Sequence, residues 1–140
     1  MGLEEYFGKK YQLVSSENFD EYMKALDVHG VLRKIASKLH PVLVLNRNGD
    51  EYTLTSTLPF KTIDITFKPG VEFDQETPDG RDVKSVITID GCTLHEVQTD
   101  DSGKETILDR IFSNDEVKVV LKIDNVTATR IYRLQQDAYY

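Results

Sequence analysis

From residue 40 onward, apolar and polar residues alternate in short runs. Val117, Val119, Leu121 and Ile123 share one face of a run whose other face carries Lys118 and Lys122. Ile63, Ile65 and Phe67 alternate with Asp64 and Thr66, and Tyr52 and Leu54 with Thr53 and Thr55. A period of two, rich in β-branched residues, is the signature of half-buried strands. Turn formers separate the runs at Asn48-Gly49, Pro59, Pro69-Gly70, Pro78-Asp79-Gly80, Asp90-Gly91, Asp101-Ser102-Gly103, Asn114-Asp115 and Asp124-Asn125. They recur roughly every 10–12 residues, the rhythm of an antiparallel meander. Asn48-Gly49 and Asp90-Gly91 suit tight hairpins, because Asn and Gly tolerate the positive φ of a type I′ turn. The turns delimit nine strands after residue 40. A tenth is expected at Gly8 to Val14, where Tyr11 and Leu13 alternate with Lys10 and Gln12.

Residues 16–39 break this rhythm. Ser16 can cap a helix, and Phe19, Tyr22, Met23 and Leu26 follow at helical spacing. Gly30 interrupts, then Leu32, Ile35, Ala36 and Leu39 resume the pattern until Pro41 ends it. The expected order is strand, two short helices, nine strands, in one domain over residues 1–140 without repeats or linkers. An open sheet of ten strands leaves exposed edges, which closure into a barrel removes. Such a barrel is wide enough to hold a small ligand. The helical pair, inserted between the first two strands, is the natural cap for one mouth.

Composition narrows the functional classes. A hydrophobic fraction of 39% supports a real core, and a net charge of −7 speaks against nucleic-acid phosphates as a partner. The single cysteine, Cys92, cannot form an intramolecular disulfide, which fits a reducing cytoplasm; beside a hairpin glycine it reads as a surface or turn thiol. The N-terminus has acids where a signal peptide needs bases, and no run approaches the roughly 20 apolar residues of a membrane helix. Gly2 alone does not make a myristoylation signal, since Tyr6 replaces its Ser or Thr. His29, His40 and His95 lack metal-ligand spacing. Gly103-Lys104 is not a phosphate loop, and no Gly-x-Ser-x-Gly is present. Glu72, Asp74 and Glu76 read as a solvated strand face. No cofactor, metal or catalytic set is expected. Against the acidic whole, the second helix carries Arg33, Lys34 and Lys38, with Lys24 on the first, which suits a lid that faces an anionic membrane surface.

The last strand carries the candidate chemistry. Ala128, Arg130, Tyr132 and Leu134 share one face, with Thr129, Ile131 and Arg133 opposite. Alternation alone does not say which face is inside. If Arg130 is inside it needs a partner, because a buried unpaired guanidinium is costly. A carboxylate suits it, offering two oxygens to two parallel N–H groups, and Tyr132 can add a third hydrogen bond.

Arg130-Ile131-Tyr132 with Arg110 upstream resembles the anion site of the intracellular fatty acid-binding proteins. The segment from Lys9 to Met23 is similar to that family's signature. So are Phe60-Lys61 with Phe67-Lys68, Glu72-Phe73-Asp74, and Asp79-Gly80-Arg81 followed by Val83-Lys84-Ser85. The resemblance covers nearly the whole chain. It implies a mainly β fold: a ten-stranded antiparallel up-and-down β-barrel of two near-orthogonal five-stranded sheets, capped by a helix-turn-helix. It also implies a monomeric, non-catalytic carrier of long-chain fatty acids. Arg110, Arg130 and Tyr132 would hold the carboxylate. Phe19, Tyr22, Met23 and Phe60 would line the tail pocket or portal, with Asp79 and Arg81 near the entrance. Retinoic acid or another hydrophobic lipid anion is the alternative cargo; retinol fits less well, because its carriers have Gln at the cationic positions. The chain departs from the family in having Tyr11 where Trp is usual, in a longer Asp100–Gly103 loop, and in a tail from Gln135 to Tyr140.

Overall fold

The computed structural model describes residues 2–135; the tail expected beyond Gln135 lies outside the described residues. A 3₁₀ turn at Leu3–Tyr6 precedes β1 (Tyr11–Glu17), α1 (Phe19–Ala25) and α2 (Gly30–Ala36). There follow β2 (Val42–Asn48), β3 (Glu51–Thr57), β4 (Thr62–Phe67), β5 (Phe73–Glu76) and β6 (Asp82–Asp90). The chain continues through β7 (Thr93–Thr99), β8 (Glu105–Phe112), β9 (Glu116–Ile123) and β10 (Val126–Leu134). The strands form one antiparallel sheet in the order β4-β3-β2-β1-β10-β9-β8-β7-β6-β5, with β1 and β10 joining the ends of the chain. Inward positions bury Leu43, Leu45, Leu54, Phe67, Ile87, Leu94, Val117 and Leu121, so the period of two in the sequence is the period of burial. The result is the expected ten-stranded barrel, nearly closed.

Closure is incomplete. Among the described residues, β4 and β5 share no ladder; after Pro69, the Gly70 N–H instead donates to the Ile87 carbonyl at 2.9 Å, which carries the chain across to β6. A second thin place lies at β1. It meets β2 only through Tyr11↔Leu43 and Gln12↔Val42, and after a register shift between Leu13 and Ser15 it pairs with β10 alone.

The N-terminal third corrects the sequence expectations in detail. β1 starts later and runs further than Gly8 to Val14: Gly8 sits at φ 77 in a turn, while β10 holds Ser16 and Glu17 in the ladder. Ser16 is therefore a strand residue, not a helix cap. The cap position is Asn18, at φ 62, whose side-chain Nδ2 donates to the Thr127 carbonyl. The break between helices falls at Asp27, φ 60, and Gly30 opens α2, with His29 Nδ1 accepting from the Val31 N–H. The 3₁₀ turn, unforeseen in the sequence, buries Leu3 and Tyr6 beneath the barrel, where Tyr6 stacks on Phe112. Tyr11 is fully buried there, its hydroxyl donating to the Ser113 carbonyl. Cys92 lies in the β6–β7 turn, as expected, and is half-buried against the same cluster.

Candidate functional site

Strand register brings the two arginines together. Arg110 on β8 and Arg130 on β10 are both paired with Val119 of β9, which is 5% exposed and points inward. Opposed residues of an antiparallel ladder share a face, so both arginines project into the barrel, about two strand spacings or 10 Å apart. Their surroundings differ sharply.

Arg110 is neutralised. Its Nη1 donates to Glu96 Oε1 at 2.7 Å, and the Glu96 side chain is completely buried. Glu96 Oε2 accepts from Gln75 Nε2 at 2.9 Å and Gln98 Nε2 at 2.8 Å, and Gln75 also reaches Ser85 Oγ. Burial by itself would raise the Glu96 pKa. The Arg110 charge and the hydrogen bonds from Arg110, Gln98 and Gln75 outweigh that and hold it below its ordinary 4.5. A buried pair of this kind contributes little net stability, but removing either member strands the other charge.

Arg130 has no such counterion among the described residues. Its guanidinium carbon lies 3.8 Å from the centre of the Phe19 ring, and its Nε–H is buried without a hydrogen-bond partner among the described residues. Burial lowers its pKa, partly offset by Tyr132 two residues along the same face. A buried donor left unmade costs roughly 1–3 kcal/mol, so this corner is primed for an acceptor. Arg130 also lines a half-open cleft of about 480 Å³ between the helices and β1, whose walls combine Phe19, Met23 and Leu39 with the exposed Ser16, Asp20 and His40. That volume is in the range of small-molecule sites.

The remaining expected residues are spread around this centre. Tyr22 and Met23 are buried under α1, and burial pushes the Tyr22 hydroxyl pKa well above its ordinary 10. Asp79 and Arg81 form a 2.7 Å ion pair in the β5–β6 turn, further tied by Thr77 Oγ1 to Asp79. Phe60, at the β3–β4 turn, is 64% exposed. α2 buries none of its residues fully: of the face expected from Leu32, Ile35, Ala36 and Leu39, Ala36 packs against the core, whereas Leu32 and Ile35, with Val31, are exposed. The basic lid is also weaker than its sequence: Lys24 pairs with Asp20 and Glu21, and Arg33 meets Asp20 at 3.0 Å. Lys34 and Lys38 are the lid cations with no ion pair among the described residues.

The Glu96, Gln75 and Gln98 network escaped the sequence reading. A signal existed. The β6–β7 hairpin pairs Ile89 with Leu94, which places Leu94, and hence Glu96 and Gln98, on the inner face. The alternative face, Thr93, His95, Val97 and Thr99, is no more polar, so composition could not decide. His95 instead points outward to Asp109, 2.6 Å away.

A model described as the lipocalin / cytosolic fatty-acid binding protein family matches residues 8–135. The chain is 44% identical over 136 residues to the muscle fatty acid-binding protein of Schistocerca gregaria, covering 95% of this chain and 99% of that protein. Among solved structures it is similar to the fatty acid-binding protein from brain tissue of Drosophila melanogaster, at TM-score 0.86 and 51% identity, covering 91% of this chain and 98% of that one. A Schistosoma mansoni fatty acid-binding protein in complex with arachidonic acid superposes at TM-score 0.90 with 33% identity, covering 97% and 100% of the two chains.

Proposed function

The chain belongs to the lipocalin / cytosolic fatty-acid binding protein family, and from that premise we propose that it carries long-chain fatty acids in the cytoplasm as a non-catalytic monomer. The carboxylate meets Arg130 and Tyr132, and the tail lies along Phe19, Tyr22 and Met23. The observation that carries this reading is Arg130 itself: a buried cation with an unmade N–H, lining a half-open cleft, against the Phe19 ring. Burying the tail removes methylene surface worth roughly 0.8 kcal/mol per CH₂, and the head sets orientation. Arg110 acts at a distance, its charge already balanced by Glu96. Phe60 and the outward apolar residues of α2 serve entry and delivery at a bilayer, with Lys34 and Lys38 supplying attraction to anionic lipid.

Calorimetry with hexadecanoic acid and hexadecan-1-ol tests this on wild type and Arg130→Gln. A charge-assisted hydrogen bond is worth about 1.5–3 kcal/mol, so the acid loses roughly 10- to 150-fold in affinity and the alcohol far less. Equal losses would make Arg130 structural. Incubation with a long-chain acyl ester should return it intact; released acid would overturn the non-catalytic reading.

A further inference from the structure

The Phe19 ring does more than line the pocket. The guanidinium carbon lies over the ring at 3.8 Å from its centre, the distance of a stacked guanidinium, since an N–H aimed edge-on at the ring would hold the carbon further off. The ring therefore occupies one face of Arg130 and leaves the in-plane N–H edge, where the unpartnered Nε–H points. The ring is also held by its neighbour one turn along α1: Phe19 and Tyr22 lie nearly parallel, at 15° with centroids 6.0 Å apart, and Tyr22 is 4% exposed.

We propose that Phe19, held by Tyr22, is a positioning and specificity-determining residue of the anion site: it clamps the Arg130 plane so that only a planar, in-plane acceptor such as a carboxylate is bound well. This rests on the fatty-acid reading and adds to it a choice of head group. A carboxylate engages the Nε and Nη edge with two coplanar oxygens. A tetrahedral sulfate of the same chain length keeps the charge but spreads its oxygens out of that plane and toward the ring.

The test measures hexadecanoic acid, hexadecyl sulfate and hexadecan-1-ol by calorimetry on wild type, Phe19→Tyr, Phe19→Leu, Arg130→Gln and the Phe19→Leu/Arg130→Gln pair. Wild type and Phe19→Tyr should prefer acid to sulfate. Phe19→Leu, which keeps apolar bulk without a π face, should lose roughly tenfold for the acid and little for the alcohol, narrowing the acid-to-sulfate ratio. With Arg130 already replaced, Phe19→Leu should affect acid and alcohol alike. Equal losses for acid and alcohol in Phe19→Leu, or full additivity in the double variant, would overturn the clamp and leave Phe19 as tail lining. Wild type that fails to bind the acid at all would overturn the carrier reading as well, so the two failures are separable. The Arg130 Nε–H proton resonance gives an independent readout: ring current should shift it upfield in wild type and Phe19→Tyr, and an unchanged position in Phe19→Leu would also refute the stack.

Discussion

The buried Glu96–Arg110 pair offers a test in which stability and affinity move in opposite directions. Glu96→Gln keeps the shape but removes the charge facing Arg110, whose side chain is only 10% exposed. Stranding one member of a buried pair costs about 3–5 kcal/mol. For 140 residues at about 2.1 cal/mol/K per residue, the unfolding entropy is near 0.3 kcal/mol/K, so Tm should fall by about 10–17 °C. Ligand binding changes the other way. In wild type the Glu96 and Arg110 charges cancel as seen from the Arg130 corner, about 10 Å away across β9. With Glu96 neutral, an extra positive charge faces the bound carboxylate; at an effective dielectric near 20 that is worth roughly 1.5 kcal/mol, or about tenfold in affinity. Hexadecanoic acid should thus bind about tenfold more tightly to the less stable variant, with hexadecan-1-ol unchanged, and its addition should recover part of the lost Tm. Scanning calorimetry and titration calorimetry read both quantities. A Tm within about 2 °C of wild type, or acid and alcohol shifting together, would refute the argument. Replacing the pair jointly, Glu96→Leu/Arg110→Met, removes both charges and should restore most of the stability, because apolar replacements of buried pairs are often neutral or better.

Acid stability should report the same carboxylate. The Glu96 pKa lies below 4.5 in the fold, so its stabilisation is complete above that value and is lost as pH falls through the folded value; urea midpoints measured from pH 6 to 2 should fall less steeply in Glu96→Gln. Phe60→Ala should alter stopped-flow ligand on- and off-rates while shifting Tm by no more than about 2 °C, since a ring 64% exposed supports little core; unchanged rates with a large Tm loss would reverse that role. Fatty acid transfer to vesicles should quicken with anionic lipid and slow with salt, and Lys34→Glu/Lys38→Glu should abolish both trends, whereas Lys24→Glu should change them less because its charge is already paired with Asp20 and Glu21. A rate indifferent to vesicle charge would favour aqueous diffusion.

Much of this protein is written in local pattern. The period of two, with a turn former at every break, determines ten strands and, where the two faces differ clearly in polarity, their inward residues, because each strand must bury one face and each hairpin needs residues tolerant of its backbone. Arg130 and Tyr132 share a face by the same parity, and the resemblance carried by Arg110 and the Lys9–Met23 segment leads to the same barrel. What depends on distant partners was not legible. β1 runs to Glu17 because β10 offers it a ladder, which overrides the capping propensity of Ser16. α2 leaves Leu32 and Ile35 exposed and packs only Ala36 of the expected face against the core, although their spacing is that of a packed helix. The lid charge is halved by Asp20 and Glu21: Lys24 pairs with them one turn away on α1, but the Arg33–Asp20 pair depends on how the two helices lie together. Most of all, the sequence contains two similar inward arginines, and only tertiary register distinguishes them. β7 sets Glu96 diagonally beside Arg110 and pairs it there, whereas α1 sets an uncharged ring over Arg130. Alternation can say that a charge is inside; which neighbour meets it is decided by strands and helices far apart in the chain.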